Sequence, residues 1–167
     1  MNARIKTIRA RLAFVTTRTR RAWRILTNLP LLVGVVLTQV VIAAALRLMP
    51  LSRLWTRLAR TREPVQSLVH ARESQVIWAI DATGARLRGI STCLVRALAA
   101  EVLLGSAGRP LSFAIGVRQG TNGALEAHAW VARGDCVIVG GQIAGDYAPL
   151  LEWNSTAISL TAITEVS

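Results

Sequence analysis

The chain has 167 residues, is 52% hydrophobic and carries a formal net charge of +11, which allows one ordinary domain with a packed core and excludes global disorder. The charge is uneven: residues 1–62 hold thirteen Arg or Lys and no acid, while residues 63–167 hold seven basic and nine acidic residues, a net of −2. Two cysteines, Cys93 and Cys136, are too few for a disulfide framework and no Cys/His spacing suits zinc, so a reducing cytoplasm and no metal or cofactor are expected.

Residues 2–26 are rich in Arg, with Ile5, Ile8, Leu12, Ala13 and Val15 at roughly helical spacing, which predicts a basic amphipathic helix. Few aromatics interleave that run, so single-stranded nucleic acid is not the expected partner. Pro30 and Pro50 bracket an apolar stretch, which predicts a helix over 31–48. Three readings compete for it. It is short for a membrane span and has Arg on both flanks; it lacks a small-residue cleavage site for a signal peptide; a buried or interfacial helix fits its length best. Leu51 to Arg60 predicts a short helix with Leu51, Leu54, Trp55 and Leu58 on one face. Thr61-Arg62-Glu63-Pro64 reads as a boundary, dividing a basic helical segment (1–62) from a nearly neutral domain (63–167). A further helix is expected over Val65 to Ala79.

Ser91 or Thr92 is placed to cap a helix through Leu94, Val95, Leu98, Val102 and Leu103, stopped by the Gly105-to-Pro110 breaker cluster. After Pro110 the period changes. Leu111 to Val117 alternates as a strand, Ala127 to Ala132 is a second, Arg133-Gly134-Asp135 is a hairpin turn and Cys136 to Val139 the return strand. Ile158 to Val166 reads as a last strand. Helices then strands, without βαβ alternation, predict an α+β fold.

Cys93 falls in the first turn of the capped helix, where unpaired N–H groups and the partial positive charge favour a thiolate and can hold an oxyanion. A small buried residue on an amphipathic helix is the competing reading. His128 lies mid-strand with Trp130 on its face and small neighbours, or is simply a polar residue on a solvent-facing sheet. A Cys at a helix start with a His far along on a strand is the arrangement a thiol–imidazole pair needs. Cys136, near the turn, reads as an ordinary strand residue. Trp130 is a candidate to line a substrate groove, with core packing as the alternative.

The strings Trp78-Ala79-Ile80, Ser91-Thr92-Cys93-Leu94-Val95-Arg96-Ala97-Leu98-Ala99, Leu111 to Val117 and Ala127-His128-Ala129-Trp130-Val131 resemble the nucleophile helix and core strands of the transglutaminase-like cysteine proteases. Within them, the sequence over about 30–150 is most similar to the B-type leader peptidases of lasso-peptide biosynthesis, in their stand-alone protease form. The resemblance implies a papain/transglutaminase-like core, its nucleophile helix packed on an antiparallel sheet. It implies a cysteine peptidase, with Cys93 as nucleophile and His128 as general base, that removes the leader from a ribosomally made precursor peptide. It also implies a separate leader-recognition protein and an asparagine-synthetase-like cyclase as partners. The family's third residue, an Asp, is expected about where Gly140 and Gly141 stand, and no acid fills that slot. Asp146 is the candidate orienting acid; Glu126, Gln142 or a backbone carbonyl are alternatives. An acyltransferase of the same fold, or a module docking on a membrane surface or a partner through the N-terminal helices, are the competing functions.

Overall fold

A computed structural model describes residues 27–68, 71–105, 110–141 and 144–154. The expected N-terminal amphipathic helix and the strand over 158–166 lie outside them. Four helices precede a four-stranded antiparallel sheet: α1 (Leu29–Leu48), α2 (Leu51–Leu68), α3 (Glu73–Gly84), α4 (Cys93–Leu104), β1 (Ser112–Gln119), β2 (Leu125–Arg133), β3 (Cys136–Val139) and β4 (Ala148–Asn154). The class is α+β, with strand order β3-β2-β1-β4.

Proline sets the ends of α1, with Pro30 in its first turn and Pro50 just past Met49, whose backbone is extended. One narrow stripe of α1, Val35, Gln39 and Ile42, is buried. Gln39 Nε2 donates to Thr83 Oγ1 at 2.7 Å, and the Thr83 hydroxyl lies 2.7 Å from the Ala79 carbonyl, so these donors are served inside the helix layer, while Gln39 Oε1 has no partner among the described residues. α1 is therefore a core element on one side, while its opposite side stays open.

The boundary expected at residues 61–64 falls inside a helix. α2 continues through Pro64 to Leu68; proline removes one donor from the helical ladder there without ending the helix. The helix expected over 65–79 is instead α3, over 73–84, where Gln75 Oε1 accepts the Arg72 N–H at 2.9 Å. Nor do the N-terminal helices form a separate unit. Val35, Ile42, Leu54 and Trp55 share one core with Phe113, Val131 and Trp153 of the sheet.

α4 is the central element, packed by α1, α2 and α3 and by β2. Ala97, Ala99 and Ala100 make this close approach from all sides sterically affordable, and all three are fully buried beside Leu98. Trp55 stacks on Trp153 at 5.0 Å and meets Phe113 at 5.1 Å, tying α2 to β4 and β1. On the sheet, Phe113 and Ile115 face the same side as their partners Val131 and Ala129, toward the helices. Ala114, Gly116 and Arg118 pair with Trp130, His128 and Glu126 on the other side. β4 was not anticipated. It pairs with β1 through a register shift at Ile115/Gly116 and carries Pro149 on the sheet edge, where a missing donor costs no ladder bond.

Candidate functional site

Thr92 is the residue that caps α4: its backbone is extended and its hydroxyl oxygen accepts the Val95 N–H at 3.3 Å. Cys93 is thus the first residue of the helix. Its own N–H and that of Leu94 have no intrahelical acceptor, as at any helix start. The thiol is free and half-buried against the core. Cys136, the other free thiol, is exposed at the start of β3.

His128 is buried on β2, directly opposite Gly116 of β1. Its Nε2 lies 2.9 Å from the carbonyl oxygen of Gly140. A carbonyl only accepts, so Nε2 carries the proton and Nδ1 holds the lone pair of the neutral ring. Gly140 supplies this acceptor because its backbone sits at φ +82°, and a Cβ there would stand 2.8 Å from the Ala129 carbonyl oxygen. The ring is flanked by Tyr147 at 5.2 Å and Trp130 at 6.2 Å.

The acids expected to orient the ring are placed elsewhere. Asp146, in a short 3-10 turn, reaches Arg118 at 3.4 Å. Glu126 accepts from Arg118 Nε at 2.8 Å, and this bond raises the Arg118 guanidinium above its usual value. Arg118 also lies over the Tyr147 ring, 4.7 Å from its centre. One cation thus draws both carboxylates to itself, and the contact to His128 comes from the backbone. Gln142 lies outside the described residues. Asp135 sits at the two-residue hairpin tip, as expected.

An open cleft of about 800 Å³ lies at the β3 edge of the sheet, lined by Asp81, Arg96, His128, Ile138, Gly140 and Gly141 among others. Arg96 stands one turn after Cys93 on the same helix face. Asp81, on α3, meets it at 3.7 Å. Burial pushes the Asp81 carboxyl above its ordinary value, and the Arg96 charge works against that. Arg96 and His128 line this cleft together, whereas Cys93, at the start of the same helix as Arg96, is not among its lining residues. Among the described residues no hydrogen bond links the Cys93 thiol to the His128 ring. Trp130 lies across Gly116: a Cβ there would come within 2.7 Å of its ring. A backbone carbonyl was among the expected alternatives for the orienting group, and Gly140 supplies it; Asp81 and Arg96 carry no assignment from the sequence. Only Arg96 carried a signal, its i+3 spacing from Cys93.

Residues 36–152, more than two-thirds of the chain, match a protein-family model described as the transglutaminase-like superfamily. No curated protein and no solved structure matches the chain.

Proposed function

This chain belongs to the transglutaminase-like superfamily, and we propose that it is a cysteine peptidase that removes the leader from a ribosomally made lasso-peptide precursor in the cytoplasm. The observation that carries the reading is the His128 ring, held through Nε2 by the Gly140 carbonyl, on a cleft that Arg96, three residues after Cys93 on the same helix, also lines.

In this reading Nδ1 takes the proton of the Cys93 thiol as substrate closes the site, a contact that commonly tightens only in the reacting complex. The thiolate attacks the scissile carbonyl carbon, and the oxyanion that forms is held by the N–H groups at the start of α4. The imidazolium returns its proton to the leaving amine as the C–N bond breaks. Water, deprotonated by the same ring, then hydrolyses the thioester and restores the thiol. The Gly140 carbonyl fills the orienting role of a third residue: it fixes the tautomer and faces the cation that forms. A neutral carbonyl stabilises that cation less than a carboxylate, so turnover is slower than with an acid in the slot. A separate recognition protein presents the leader, and an asparagine-synthetase-like cyclase takes the released core peptide.

The test is mass spectrometry of a leader-bearing precursor encoded beside this chain, incubated with the purified full-length protein and the recognition protein. Wild type cleaves once, whereas Cys93→Ala and His128→Ala leave the precursor intact with unchanged thermal midpoints. Normal processing by Cys93→Ala sinks the proposal. A product carrying an added amine, in place of a free carboxylate, moves the chain to acyl transfer.

A further inference from the structure

The outward side of α1 is not explained by peptide cleavage. Leu29, Val33, Leu37, Val40, Val41 and Leu48 are all exposed, Leu37 at 59% and Val41 at 64%. At ~100° per residue they form one face, about 180° round the helix from the buried stripe of Val35, Gln39 and Ile42. The ridge runs about 28 Å at ~1.5 Å per residue. Among the described residues its face contains no acid, and Arg47 falls on it near the C-terminal end. A mostly apolar groove of about 1060 Å³ continues the ridge onto α3, lined by Leu29, Leu32, Val33, Val36, Leu37 and Trp78 and bordered by Asp81 and Arg86.

Two observations choose the occupant. The first is charge. Arg47 on the ridge and Arg86 at the groove are exposed, α2 exposes Arg53, Arg57 and Arg60, and residues 1–62 carry thirteen basic residues and no acid. An anionic surface complements that pattern, with apolar side chains entering the acyl region and guanidinium groups meeting the phosphates. The second is anchorage. α1 is long and apolar enough to cross a membrane by length and composition. Its buried stripe, however, packs into the core, and Gln39 is hydrogen-bonded to Thr83 of α3 inside it. A helix crossing the bilayer would strip that stripe from α3 and α4. Lying flat keeps the core intact and still covers the ridge.

We propose that α1 docks the domain on the surface of an anionic lipid bilayer, lying in one leaflet with its Val33–Leu37–Val41 face toward the acyl chains. Docking is independent of the peptidase reading: no residue of the ridge lines the His128 cleft, which the groove meets only at Asp81 and Ala85.

The experiment is co-sedimentation of the full-length chain with vesicles of equimolar phosphatidylglycerol and phosphatidylcholine, against vesicles of phosphatidylcholine alone. The chain is expected to pellet with the first and to be released by salt. Leu37→Glu with Val41→Glu, both exposed, is expected to abolish pelleting while circular dichroism and thermal midpoint stay at wild-type values. Arg47→Ser with Arg86→Ser is expected to weaken binding to the anionic vesicles by roughly thirtyfold. Absence of wild-type pelleting, or pelleting unaffected by the Glu pair, overturns the proposal. So does resistance to alkaline carbonate extraction, which marks a span, or a lipid-free dimer that the Glu pair dissociates, which marks a protein interface.

Discussion

The Nε2 of His128 donates to the carbonyl oxygen of Gly140 at 2.9 Å, from a strand that pairs with the one leading into Gly140. The relationship is a backbone one on the acceptor side, so it depends on where the main chain turns and on no side chain. The turn depends on glycine. At φ +82° any other residue is strained, and its Cβ would press on the Ala129 carbonyl.

Gly140→Ala therefore tests the orienting contact. The backbone must shift to relieve the clash, taking the acceptor away from the ring. Misplacement of about 1 Å costs on the order of a hundredfold in rate. The expected result is a fall in precursor cleavage of that order, with loss of the Nε2–H tautomer signature in ¹H–¹⁵N spectra of the ring. A wild-type tautomer with reduced rate would assign Gly140 another role.

Much of this arrangement is legible in the sequence because it is local. Thr92 precedes an apolar 3.6-period run and the breaker at Gly105 ends it, so Cys93 reads as a helix start. The alternation of Leu111 to Val117 and of Ala127 to Ala132 gives β1 and β2, and Gly134-Asp135 gives the hairpin. What fails to read is non-local or main-chain. A carbonyl partner has no residue type, so the backbone alternative cannot be assigned to Gly140 from sequence, and the two acids weighed beside it, Asp146 and Glu126, belong to Arg118. Asp81 and Arg96 meet only because α3 packs on α4. Pro64 reads as a stop although α2 passes through it, and Pro149 with Leu150-Leu151 disguises β4, whose register shifts beside Gly116.

The aromatic cluster predicts that the basic half of the chain cannot be removed. Trp55 packs on both Trp153 and Phe113, and Val35, Ile42 and Leu54 complete the same core. Trp55→Ala is expected to cost about 3–5 kcal/mol, measured as a shift of the urea midpoint at constant slope. A chain beginning at residue 63 lacks all four side chains and is expected to show no cooperative unfolding. Cooperative unfolding of that fragment would restore a domain boundary there.

Gly116 is a second steric gate on the sheet face that carries His128. A Cβ there would meet the Trp130 ring at 2.7 Å and the Ala148 carbonyl oxygen at 2.8 Å, with β4 and an aromatic ring both in the way. Gly116→Ala is expected to cost about 1–3 kcal/mol and to move Trp130. Trp130→Phe in the same background is expected to recover part of the loss, since the shorter ring clears the new methyl group. Equal destabilisation in both backgrounds would place the strain on β4 alone.

Asp81 gives the pH dependence. Its carboxyl is raised by burial, with Arg96 opposing, so the folded chain binds this proton more tightly than the unfolded one. Stability contributed by the protonated form is present at the acid end, falls as pH rises through the ordinary carboxylate value toward the raised one, and stays lost above it. The side chain keeps 57% of its surface exposed, so solvent screens the effect and the change is small. Asp81→Asn removes the titration. Thermal midpoints of wild type and variant, scanned across mildly acidic pH, are expected to diverge with rising pH, the wild type falling behind, and then to run parallel toward neutrality. Divergence in the opposite sense would mean that the Arg96 charge outweighs burial and that the pair stabilises the cleft in its ionised form.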